Sequence, residues 1–160
     1  MTMASTASIQ RLDHITLRTR KPQETVRFFT EAVGLSEGWR PGFRFPGHWL
    51  YNGDAAVLHI VSVTEDEAEL RSYLGTRSDG AGSGNVDHIA FRCNGLDAMQ
   101  QRLVDLGLAF RERVVPDIGE HQLFLQDPNG INIELVFPHA EGNRVRGEQV
   151  APPDMVAANR

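Results

Sequence analysis

Residues 12–19, LDHITLRT, and residues 86–93, VDHIAFRC, carry one pattern twice, with Asp13, His14, Ile15 and Arg18 falling on Asp87, His88, Ile89 and Arg92. Each copy reads as a short strand. Period-two alternation puts Val86, His88 and Ala90 on one face and Asp87, Ile89 and Phe91 on the other. A lone histidine in such a run is ordinarily a core residue with satisfied ring nitrogens. A histidine repeated in register calls for another explanation, and the repeat continues outward from it.

Downstream, VRFFTEAVGL (26–35) and MQQRLVDLGL (99–108) both read as amphipathic helices closed by a Gly-Leu pair. Farther on, HWLYNGD (48–54) aligns with HQLFLQD (121–127), and VLHIV (57–61) with NIELV (132–136). Each half is therefore strand, helix, then about three strands, the last hairpins carrying NGD and DPNG turn chemistry. The expected organisation is a loose lead-in over 1–8, a first βαβββ module over 9–74, a glycine-rich linker over 75–85, a second module over 86–138, and a polar tail over 139–160. TEDEAELRSYL, before the linker, suits a short acidic helix. The tail has weak structural signal and is also suited to wrapping a partner subunit.

Composition narrows the class. A chain of 160 residues, 41% hydrophobic and 23% charged, builds its core without covalent help. Cys93 is the one cysteine, so no intrachain disulfide and no cysteine-based zinc site forms within a chain, which fits a reducing cytoplasm. A formal charge of −5 with no basic run argues against nucleic-acid or anionic-membrane partners. No stretch approaches the roughly 20 apolar residues of a membrane span.

In the repeat, His59 aligns with Glu134. Leu58 and Ile60 lie on the opposite strand face from His59, as Ile133 and Leu135 do from Glu134. One face then packs on helices and the other carries polar groups. His14, His59, His88 and Glu134 form a set of three imidazoles and one carboxylate, suited to one divalent ion of the Zn, Fe, Ni, Co or Mn kind and not to Ca. Four separately satisfied buried polar groups are the competing explanation, disfavoured by the cost of burying an unpaired carboxylate.

The duplicated unit with DHITL, DHIAF and DPNGINIELVF, spanning about residues 10–137, resembles the vicinal oxygen chelate superfamily, which holds glyoxalases, extradiol dioxygenases and fosfomycin or bleomycin resistance proteins. The resemblance implies an α+β fold of two tandem βαβββ modules forming a curved, cup-like mixed β-sheet with helices on the outside. It also implies a homodimer, in some members with sites shared between chains. Its metal ligands fall on His14, His59, His88 and Glu134. Glyoxalase I usually has a carboxylate or amide where this chain has His59, so the centre here is one charge more positive and Glu134 is left as its only carboxylate base.

The stretch RPGFRFPGHWLYNG (40–53) concentrates aromatic residues that the second half lacks. Phe43, Phe45, Trp49 and Tyr51 are candidates for an apolar substrate wall, against the alternative of ordinary packing. Arg18 and Arg92 are candidates for a substrate carboxylate or phosphate, against surface ion pairs. His48 and His121 occupy matched positions at strand starts and read as rim residues. Three functions follow. The first is a metal-dependent lyase or isomerase acting on a small oxygen-chelating substrate, with Glu134 as the proton carrier. The others are an Fe(II) dioxygenase of the extradiol type and a non-catalytic drug-binding resistance protein.

Overall fold

The computed structural model describes residues 10–74, 80–84 and 86–151. The lead-in, much of the linker and the end of the tail lie outside these residues. The first half runs β1 (Ile15–Thr19), α1 (Pro22–Arg27, continued by a π-helical turn over Phe28–Val33), β2 (Ser36–Gly38), β3 (Gly47–Asn52), β4 (Ala55–Ser62) and α2 (Ala68–Leu74). The second runs β5 (His88–Arg92), α3 (Leu96–Asp105), β6 (Arg111–Val115), β7 (Glu120–Gln126), β8 (Asn132–Pro138) and β9 (Glu148–Gln149). The fold is α+β, with two mixed sheets ordered β1-β4-β3-β2 and β5-β8-β7-β6-β9. Strand for strand the first four positions repeat. Each has its first strand parallel to its last, which requires the helical crossover that α1 and α3 supply.

The helix stops behave as their sequences imply. Gly34 takes φ 98°, in the left-handed region, and its N–H and that of Leu35 both bond to Phe29 O. In the second half Leu108 N–H closes back on Leu103 O. No helix among the described residues is long and apolar enough to cross a membrane.

One continuous core joins the halves. Leu50, Leu58 and Ile60 from the first sheet and Leu123, Ile133, Leu135 and Phe137 from the second are at most 2% exposed, and they pack with Phe29, Met99 and Leu103 of the helical segments. Burying a side chain of this size is worth about 1.5–3 kcal/mol each. The modules are also stitched by polar groups. The DPNG turn places Asn129 so that its Nδ2 donates to Thr25 Oγ1 (2.9 Å), while Thr19 Oγ1 donates to its Oδ1 (2.5 Å). Asp127 Oδ1 holds the turn by accepting from Asn129 N and Ile131 N.

Because Leu58 and Ile60 point into this core, His59 points out of the opposite face of its sheet. The same alternation turns Glu134 out of the second sheet, opposite Ile133 and Leu135. Each polar sheet face is therefore turned away from the core that the two modules share. The tail also takes part. β9 pairs parallel to β6, and Glu112 on β6, fully buried, accepts from Arg146 N (2.7 Å), Gly147 N (2.6 Å), Gln100 Nε2 (2.8 Å) and His121 Nε2 (2.5 Å).

Candidate metal centre

The four residues of the repeat come together as two pairs. In the first half, His14 precedes β1 and its ring stacks on that of His59, centroids 3.9 Å apart. His14 Nδ1 lies 2.8 Å from Asp13 Oδ2, which leaves Nε2 as the ring nitrogen not engaged by Asp13. That hydrogen bond holds the Asp13 carboxyl below its ordinary pKa. Burial, and then the neighbouring His14, push the His59 pKa down, so this ring is neutral near pH 7, the form that ligates a metal.

In the second half, His88 Nδ1 lies 2.8 Å from Asp87 Oδ2, and His88 Nε2 lies 2.9 Å from Glu134 Oε2. His88 thus stands between two carboxylates, Asp87 at Nδ1 and Glu134 at Nε2. An imidazole nitrogen and a carboxylate oxygen so placed share a proton or take up a metal ion between them. Glu134 is 8% exposed, so water has little access to the carboxylate side of the pair.

Among the described residues no group of three or more His, Cys, Asp or Glu side chains is placed to hold a metal ion. The convergence of all four on one point is thus not met within a chain. The physical reason is the shared core, which sets the two polar faces on separate outer surfaces. A broad cleft of about 1290 Å³ covers the second face, bordered by His88, Glu134, Phe124, Gln122 and Arg113, and neither His14 nor His59 lines it.

The remaining candidates divide. Trp49 stacks on His59 at 3.9 Å, with planes 5° apart, and forms a flat wall beside it. Phe43 and Phe45 stack on each other at 5.1 Å, and Phe45 is buried with Val61 and Leu70 in a small second core under α2. Tyr51 donates its hydroxyl to Trp39 O. Arg92 is paired with Glu120 at 3.0 Å, and Arg18, opposite Val61, is also engaged.

His48 and His121 are not rim residues of the polar faces. Cross-strand register places them opposite Ile60 and Phe137, on the core side, because they are one residue out of phase with Trp49 and Gln122. His121 is wholly buried against Glu112, and His48 pairs with Glu37 at 2.6 Å. Sequence reading passed over Arg113 and Gln122. Both share the Glu134 face by alternation, a signal present in RERVV and EHQLF but unreadable until β6 is known to lie beside β7.

The family model of the Glyoxalase/Bleomycin resistance protein/Dioxygenase superfamily matches residues 11–135. The chain belongs to that superfamily. It is 26% identical over 127 residues to Glyoxylase I 4 of Arabidopsis thaliana, covering 78% of this chain and 68% of that protein. Among solved structures it resembles a glyoxalase family protein of Bacillus anthracis, with TM-score 0.63 and 21% identity over 84% of this chain and all of that one. It also resembles lactoylglutathione lyase of Agrobacterium tumefaciens, with TM-score 0.61 and 16% identity over 82% and 96% of the two chains. Membership in the glyoxalase superfamily accounts for the repeated βαβββ topology and for two histidines at equivalent strand starts.

Proposed function

We propose that the protein is a divalent-metal-dependent lyase or isomerase acting on a small substrate with neighbouring oxygens, its metal held by His14 and His59 of one subunit and His88 and Glu134 of a second copy. The observation that carries this reading is the His88–Glu134 pair, an imidazole nitrogen and a largely buried carboxylate oxygen 2.9 Å apart on one sheet face. The stacked His14–His59 pair offers the complementary half. β1 and β5 are edge strands, so an edge-to-edge approach of β1 to another subunit's β5 would join the halves without disturbing either core.

When bound, a Zn, Fe, Ni, Co or Mn ion supplies Lewis acidity towards two vicinal substrate oxygens and makes a proton α to a carbonyl acidic. The protein's own groups do the rest. Asp13 and Asp87 fix the two leading imidazoles in the ligating tautomer. Glu134, the one carboxylate of the set, accepts the substrate proton and returns it at the neighbouring carbon. Trp49 closes one side against water. Similarity to proteins named glyoxalase and lactoylglutathione lyase supports the lyase reading. The built donor pairs speak against a purely sequestering role, and the unpaired, half-buried Cys93 suits a reducing cytoplasm.

Glu134→Gln keeps a metal-binding oxygen and removes the base. Solvent deuterium exchange into an α-hydroxy ketone is expected to fall by at least about 10²-fold, while part of the metal is retained. Undiminished exchange, together with oxygen uptake on addition of a catechol to Fe(II)-loaded protein, would replace this reading with a dioxygenase.

A further inference from the structure

Two strands from Glu134, on the same face of the second sheet, stands Arg113. Register sets it opposite Gln122, while Phe124 beside them lies opposite Glu134. The Arg113 guanidinium lies over the Phe124 ring, 5.0 Å from its centroid, which holds a planar cation in place without using its N–H groups. Its Nε is buried with no hydrogen-bond partner, and Gln122 Oε1 is buried without one as well. The nearby carboxylates are occupied elsewhere. Glu120 is taken by Arg92 and Gln122, and Glu134 by His88. Glu148, at the far edge of the cleft, lies opposite Arg111 and not Arg113. Of the cleft's two other arginines, Arg111 lies opposite Glu148 on an exposed stretch of β6, and Arg146 is bound to Gln101 and lies near Asp97.

A stacked guanidinium with an unmet donor, beside an amide with an unmet acceptor, is a receptor for an oxyanion that carries or adjoins a donor group. We infer that Arg113 and Gln122 form an oxyanion subsite of this cleft, and that the substrate is a small organic acid with a carboxylate or phosphate at one end and its chelating oxygens at the other. This deepens the proposed function and rests on His88 and Glu134 marking the reacting end. β6 and β8 are two strand spacings apart, roughly 10 Å, and the guanidinium leans back over Phe124, so the two ends of the substrate are separated by roughly three to five bonds.

The test is calorimetry on the full chain, metal-stripped and Co(II)-loaded, with three probes: 2-oxoglutarate, its 5-methyl ester, and 2-oxo-4-phosphonobutanoate. The wild type is expected to prefer at least one of the two distal oxyanions over the ester by about 10-fold or more, and the tighter of them names the end group. Arg113→Gln is expected to abolish the preference while binding the ester as before, with Arg146→Gln keeping it. The Arg113 Nε–H resonance of the wild type is expected to shift with the preferred oxyanion and not with the ester, a readout independent of whether the variant folds. A wild type that does not distinguish oxyanion from ester, an Arg113→Gln chain that still does, or an unmoved Nε–H resonance would overturn the subsite. Co(II) titration of His88→Ala separates the two proposals. Unchanged metal affinity with an intact oxyanion preference would remove the proposed metal centre and leave the subsite standing, and metal loss with no oxyanion preference in the wild type would do the reverse.

Discussion

Each of the two leading histidines follows an aspartate in the chain, and in both cases that aspartate takes Nδ1 at 2.8 Å. Asp87 is exposed and its side chain touches little else, so its replacement isolates the effect on His88. With Asp87→Ala the imidazole loses both its preferred tautomer and its orientation, and Co(II) affinity is expected to drop 10–100-fold, measured by competition with a chromophoric chelator. Asp13→Ala is expected to act likewise through His14. Neither change should move the melting temperature of the metal-free chain by more than about a degree, because exposed substitutions of this kind stay within about 0.5 kcal/mol.

At the scale of elements, β6 does two unlike tasks with one alternation. Arg111 and Arg113 face the cleft, and Glu112 between them faces inward and ties α3, β7 and the tail segment through four N–H donors. Burial by itself would raise the Glu112 pKa, but the hydrogen bonds from Gly147, Arg146, His121 and Gln100 outweigh it and hold the carboxyl below its ordinary value. The unfolded chain therefore takes up this proton first as the solution is acidified. The stability contributed is complete above the unfolded pKa of about 4.5 and fades as pH falls through the lower folded value. Glu112→Gln turns an amide N–H₂ towards donors and is expected to cost about 3 kcal/mol at neutral pH. Thermal melts of both chains at a series of pH values should show the gap narrowing below about pH 4. The tail has a second anchor in Gly147, where a Cβ would stand 2.5 Å from Phe110 O. In Gly147→Ala, hydrogen exchange is expected to quicken at Val150 N–H, which bonds to Glu112 O, and at Glu148 N–H, which bonds to Phe110 O, with core strands unaffected.

For the molecule as a whole, a continuous core has a consequence for assembly. Two sheets packed on one shared core present their polar faces outward, and among the described residues the His14–His59 and His88–Glu134 pairs form no single cluster. Completion by a second copy predicts a homodimer in light scattering at micromolar concentration. It also predicts a specific rescue. His14→Ala and Glu134→Ala chains, each unable to assemble an intact centre alone, should on mixing form dimers in which both lesions fall in one site and the other is whole. About half the wild-type metal per dimer is then expected after confirmed subunit exchange, and none regained would exclude shared sites.

The residues themselves carried the duplication and the facing of the strands. Matching of DHI with DHI and of LHI with IEL needs only a period of two and a repeat, so the βαβββ order of elements, the buried Leu58, Ile60, Ile133 and Leu135, and the outward His59 and Glu134 follow locally from repeat and alternation. Glycine positions 34 and 130 likewise state their turns directly. What alternation does not encode is which strands become neighbours and how two sheets are stacked. His121 and His48 look equivalent to the candidate ligands in one dimension, yet one residue of phase sends them to the core side. Arg113 and Gln122 become a pair only once β6 lies against β7. The division of the four donors into two pairs is likewise decided by the tertiary structure, because a shared apolar core fixes the direction in which both polar faces open.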